Sequence, residues 1–295
     1  MVTYPLGQHG GRNYWASDGR TGAKWGNICR SRWLEVNGAL EQIRGTKLLE
    51  RLLRMPRLVL VDGRMLYPIA GAATTTAYPD PDPETATVDG ELYKGDSTGT
   101  WANIRDGAGQ LAFPTAANIS IRLSSSSGST WSEIARIVVL VDFSAVADTD
   151  TKDSATLELT VYFKDDGFSG TGSVNIYTAT PASNTNLVAS DYDSTNHGTV
   201  AQSTAKTIAS IDASGTVYTA WALNATGLTN ISLTTVSKFG GRLVHDASDT
   251  PPTMVAANVI SASSRAAETA GTGSDPKIVL IHSSATSPGK FFAVF

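Results

Sequence analysis

Residues 258–284 read NVISASSRAAETAGTGSDPKIVLIHSS, and how they are read decides the fold. A run of Ser, Ala, Thr and Gly surrounds Arg265 and Glu268, then closes on Asp275-Pro276 and four apolar residues, Ile278 to Ile281. A catalytic loop would need chemical partners nearby in the sequence pattern, and none is present. A free linker would not lead straight into a core strand. The stretch therefore reads as a long small-residue loop before the last strand of a β-domain. Pro276 enters that strand at its first position, where a missing N–H is tolerated, and Ile278 and Leu280 face the core.

Working outward, strand-like segments recur from about residue 88: 117–123, 135–143, 155–163, 173–179, 216–223, 231–237, 241–245 and 277–283. In ATLELTVYF (155–163) the residues Leu157, Leu159, Val161 and Phe163 alternate with Glu158, Thr160 and Tyr162, the period of a half-buried strand. Short strands with polar loops and hardly a helical signal predict a mainly β domain, an antiparallel jelly-roll sandwich over 91–295.

Ahead of it, GAATTTAYPDPDPETATVDG (71–90) alternates Pro79, Pro81 and Pro83 and reads as a linker over 76–90. RLVLVDGRMLYPIA (57–70) reads as a hairpin around Asp62-Gly63. Residues 37–55 carry Leu40, Ile43, Leu48, Leu52 and Met55 near one face, which predicts a helix stopped by Pro56. Residues 1–75 thus form an extended docking arm with one helix and a hairpin.

The arm is basic and aromatic. Residues 1–67 hold eleven Lys/Arg against five Asp/Glu, and the other 228 hold twelve against twenty-two. Arg12, Tyr14, Trp15, Arg20, Lys24, Trp25, Arg30, Arg32 and Trp33 interleave rings with cations. Such a surface anchors in a partner's pockets, as interface hot spots do; contact with nucleic acid is the weaker reading, since no nucleic-acid motif accompanies it.

Catalytic and metal signatures are sparse. His9, His197, His245 and His282 stand at no metal-ligand spacing from one another or from the single Cys29, and neither H-E-x-x-H, C-x-x-C nor G-x-S-x-G occurs. An enzyme is not expected, nor any cofactor. Structural Ca²⁺ is the exception to test, with Asp246 and Asp249 on one loop as candidate ligands and Asp165-Asp166 as a second pair. For sugar stacking the candidate platform is Tyr218 and Trp221, on opposite faces of an alternating strand. No apolar run reaches the ~20 residues of a membrane span, and the first residues show neither the n-region nor the h-region of a signal peptide.

The order of these segments resembles the DNRLRE-type, carbohydrate-binding-like jelly rolls. The residues that carry the likeness are Arg136, Asp142-Phe143, Ser154-Ala155, Leu157, Leu159 and Val174 to Tyr177, then GTVYTAWAL, GGRLVHD and the closing stretch quoted first. The likeness covers about 120–284. It departs in the order of Asp142-Phe143, in Arg265 where the family has Glu, and in the first strand. Similar closing sequences occur in structural proteins of tailed bacteriophages. The resemblance implies a homo-oligomeric virion protein, assembled in the host cytoplasm from copies of itself and other virion proteins, as head decoration, neck or tail component. Two alternatives stay open: a module that binds host-surface glycan, and a jelly-roll capsid protein whose basic arm touches the genome.

Overall fold

The computed structural model describes residues 58–61, 65–68, 72–126, 130–168 and 170–284. The docking-arm residues 12–33, the helix expected over 37–55, Cys29 and the final GKFFAVF lie outside these. The expected hairpin is present: β1 (Leu58–Val61) and β2 (Met65–Pro68) are antiparallel, with Val61 opposite Met65. It belongs to one compact unit, and residues 72–285 form a second.

The second unit runs β3 (Ala72–Ala77), β4 (Asp89–Gly99), α1 (Trp101–Arg105), β5 (Leu111–Phe113), β6 (Asn118–Ser125), β7 (Trp131–Val141), β8 (Thr151–Leu159) and β9 (Val161–Asp166). It continues with β10 (Ser173–Thr178), β11 (Lys206–Thr207), β12 (Thr219–Ala222), α2 (Ala225–Asn230), β13 (Ser237–Leu243), α3 (Val244–Ala247), β14 (Val259–Arg265) and β15 (Lys277–Ser283). The fold is mainly β, and every pairing between described strands is antiparallel. One sheet has the order β12-β8-β15-β3; the larger has β11-β10-β13-β7-β6-β14-β9, with β4 against β7 and β5 against β4. Leu157, Leu159, Trp221, Ile278 and Leu280 of the smaller sheet join Ile121, Val139, Ile176 and Phe239 of the larger in one apolar core. Burying these side chains, at roughly 1.5–3 kcal/mol each, holds the two sheets together.

β7 is forked. One edge pairs with β4 from Trp131 to Val139, while the other is shared by β6 (Trp131 to Ala135) and β13 (Ile137 to Val141). Arg136 sits between the two partners, at the fork itself.

Several sequence expectations are corrected. The segment 155–163 is two strands in different sheets: the chain leaves the smaller sheet after Leu159, turns at Thr160 and enters the larger at Val161. The sequence alternation runs on through the turn but its burial does not: Leu157, Leu159 and Val161 are buried while Phe163 is half exposed. Residues 231–236 form no strand; they follow α2, whose N-cap Asn224 accepts from Gly227 N. The small-residue loop is confined to 266–276, because VISASSR (259–265) is a full strand between β6 and β9. Its hydroxyls are satisfied across the sheet: Ser263 Oγ lies 2.9 Å from Ser120 Oγ, and Ser264 Oγ donates to Thr160 O at 3.1 Å.

The stretch 76–90 is no free linker. The Asp80 carboxylate accepts from the backbone N–H groups of Thr85 (3.1 Å), Ala86 (2.7 Å) and Thr87 (3.2 Å), closing the Pro-rich turn. Thr87, Val88 and Asp89 are buried. The domain accordingly begins at β3, whose residues pair with β15, and not at 91.

Candidate functional site

A buried ionic cluster lies against the larger sheet. Arg136 comes from β7 and Arg242 from β13; Asp246 follows Arg242 by one helical turn in α3. The carboxylate is held by both guanidinium forks, Arg136 at 2.8 and 2.7 Å and Arg242 at 2.8 and 2.9 Å. Arg136 also donates to the carbonyls of Arg105 and Tyr192, and Arg242 to that of Gly198. The Arg136 guanidinium lies 4.1 Å from the Tyr192 ring centroid. Burial alone would raise the Asp246 pKa, but the two guanidinium charges and their hydrogen bonds hold it far below the usual carboxylate range. Burial, with the two arginine charges adding to it, pushes the neighbouring His197 down to about 3, so its imidazole is neutral.

This arrangement corrects the calcium expectation. Both Asp246 oxygens are taken up by arginine, and Asp249 accepts from Trp101 Nε1 at 2.9 Å with Arg105 Nε 3.5 Å away. Among the described residues no three His, Cys, Asp or Glu side chains are disposed to hold a metal ion. Asp166 of the second pair is engaged with Gly172 N.

The glycan platform is corrected in part. Trp221 is fully buried, its indole N–H donating to Val174 O across the core at 3.3 Å. Tyr218 is half-buried; its hydroxyl donates to Thr272 O, and the Lys277 ammonium caps its ring at 3.6 Å from the centroid. Only one ring of the pair reaches the surface, and its face is occupied.

His282 lies in a chain of hydroxyl, imidazole and carboxylate: Thr75 Oγ1 to Nε2 at 3.0 Å, and Nδ1 to Asp150 Oδ2 at 2.7 Å. The order is that of a nucleophilic triad, but it runs across β3 and β15 and ties the outermost strand to its neighbour.

A shallow groove among the described residues was not legible in the sequence. It holds about 590 Å³ and is lined by Tyr93, Lys94, Gly95, Asp96, Gln110, Ser132 and Glu133. The register builds it. Tyr93 and Arg122 both stand opposite Ala135, and Glu133 is opposite Ser124 and Gly95, so Tyr93, Arg122 and Glu133 share one face. Arg122 pairs with Glu133, and Tyr93 Oη donates to Glu133 Oε2 at 3.3 Å. The Gln110 amide completes the β4 edge like a short strand, accepting from Gly95 N at 3.2 Å and donating to Gly95 O at 2.6 Å. A Cβ at position 95 would lie 2.5 Å from the Tyr93 hydroxyl, so any larger residue there would displace that ring. Below the groove Glu91 accepts from Ser120 N at 2.6 Å; burial, reinforced by Glu133, pushes it up to about 7 despite that bond and Arg122. An aromatic ring beside carboxamide and carboxylate groups can stack on and hydrogen-bond a polyhydroxylated ligand.

No protein-family model and no curated protein matches the chain.

Proposed function

We propose that this chain is a non-enzymatic structural component of a virus particle, of the tailed-bacteriophage kind. It docks through residues 1–71 and displays the 72–285 unit as a jelly roll on head, neck or tail. The observation that carries the reading is the partition of charge at the unit boundary. Residues 72–285 hold eleven Lys/Arg and twenty-two Asp/Glu, while 1–71 hold eleven and five. An acidic body behind a basic, aromatic arm favours head-to-neighbour docking and keeps bodies apart from one another. Further support is that Arg136, Arg242 and Asp246 serve one another and the backbone.

The experiment is the native mass of the full chain beside that of a chain beginning at residue 72, with salt-dependent DNA binding measured on both. Homo-oligomers that require residues 1–71, without DNA affinity, are expected. Two monomers would overturn the docking arm, and salt-sensitive DNA binding would favour a genome-contacting capsid protein.

A second reading, a host-glycan module, is favoured by the Tyr93–Gln110–Glu133 groove. Saccharide binding lost in Tyr93→Ala, with folding intact, would select it.

A further inference from the structure

Four passages carry the chain from one sheet to the other at one end of the body: 78–88 between β3 and β4, Thr160 between β8 and β9, 208–218 between β11 and β12, and 266–276 between β14 and β15. They are tied together. Arg265 N donates to Thr160 O at 3.1 Å, Gly215 N to Val161 O at 2.9 Å, and Tyr218 Oη to Thr272 O at 3.2 Å. Between the first and last passages lie acids without cations. Asp89 is fully buried and accepts only long bonds from Ala267 N, at 3.4 and 3.3 Å. Asp275 is 4% exposed, and its Oδ1 has no hydrogen-bond partner. Both Glu268 carboxylate oxygens and Glu84 Oε1 are likewise out of water and without a partner. None of the ion pairs among the described residues includes any of these four.

Among the described residues the surroundings offer no compensating charge. Asp89 feels Glu268 and Asp275, and Glu268 feels Glu84, Asp275 and Asp82. On the far side stand Tyr218, Tyr78 and Glu158. The nearest cation in sequence, Lys277, is turned to Glu158 at 3.4 Å and to the Tyr218 ring; Arg265 is turned to Asn118 and Tyr162. Like charges this close in a dry site cannot all ionise, and orphaned carboxylate oxygens need donors. A proton on a carboxyl removes its charge and turns an orphaned acceptor into a donor.

We propose that Asp89, Glu268 and Asp275 form a proton-held latch that fastens loop 266–276 to segment 79–89, so that this end of the sandwich loosens when the latch loses its protons. The electrostatics agree. Burial, and then the neighbouring acids, push Glu268 up to about 7, and burial pushes Asp275 up to about 6. Asp89 is raised well above its ordinary value, by burial first and then Glu268. A carboxyl raised in the folded state contributes its stabilisation fully below the unfolded pKa and loses it as pH rises through the folded one. The latch is therefore closed near pH 5 and opens between about 6 and 8.

The test is hydrogen exchange of the full chain at pH 5.5, 7 and 8, corrected for the intrinsic rate and read at Ala267 and across 266–276. Protection is expected to fall by up to about tenfold per pH unit for each proton released as pH rises toward the raised pKa values, and to level off above them, while strand β7 stays protected. Glu268→Gln, which keeps a donor at every pH, should flatten the profile, and Asp275→Asn serves if that variant does not fold. A pH-independent loop in the native chain would overturn the latch. So would protection at pH 8 restored by millimolar Ca²⁺ and removed by chelator, since the acids would then be cation ligands.

Discussion

Asp246 is the residue on which the outer layer of the body turns. Two guanidinium groups, neither reaching water, face one carboxylate, so Asp246→Asn leaves positive charge buried without an anion. A loss of about 3–5 kcal/mol is expected in urea unfolding, with no rescue by calcium. Asp249→Asn, three residues on and exposed, keeps an acceptor for Trp101 and should cost no more than about 1 kcal/mol. Glu91 makes the matching statement for pH. Its raised pKa means that its neutral form is the one the fold prefers, so this contribution is lost as pH rises through about 7. Glu91→Gln keeps an acceptor for Ser120 N and removes the charge, and the thermal midpoint of that variant should change less than the native one between pH 6 and 8.

At the scale of elements, the Asp80 turn and the Gln110 edge each rest on a single side chain. Burial raises the Asp80 pKa, but hydrogen bonds from Thr85, Ala86 and Thr87 more than offset it and leave it lowered. Asp80→Ala should therefore cost about 1 kcal/mol at neutral pH and progressively less as pH falls through that lowered value, measured by chemical unfolding. Gln110→Ala opens the β4 backbone at Gly95, and concentration-dependent association is the expected result, seen by light scattering. These elements also show what the sequence could and could not say. β8 and β15 were legible because their alternating Leu and Ile face a core on one side only. The hairpin was legible from Asp62-Gly63. β14 was not, because Ser261, Ser263 and Ser264 are buried by pairing hydroxyls across strands, which leaves no apolar rhythm to read. The break at Thr160 was hidden by a pattern that runs on unbroken through a change of sheet. The groove escaped for another reason: Tyr93, Gln110 and Glu133 are brought together only by the register of β4 on β7.

For the whole molecule, the decisive boundary lies at residue 72, ahead of the Pro-rich turn. A chain beginning at 72 should fold cooperatively, whereas one beginning at 88 loses β3 and the Asp80 turn and should melt lower by calorimetry. The same pairing fixes how the body would bear load. Ala72 stands opposite Ser283, so the first and last described strands of the body run side by side and its two ends lie about 5 Å apart. Traction applied through those ends meets the β3–β15 ladder one rung at a time, as a zip is opened, and never shears all rungs at once. The body is thus mechanically soft along that axis however stable it is in solution, and its paired ends suit it to being carried as a cassette within a loop of another protein.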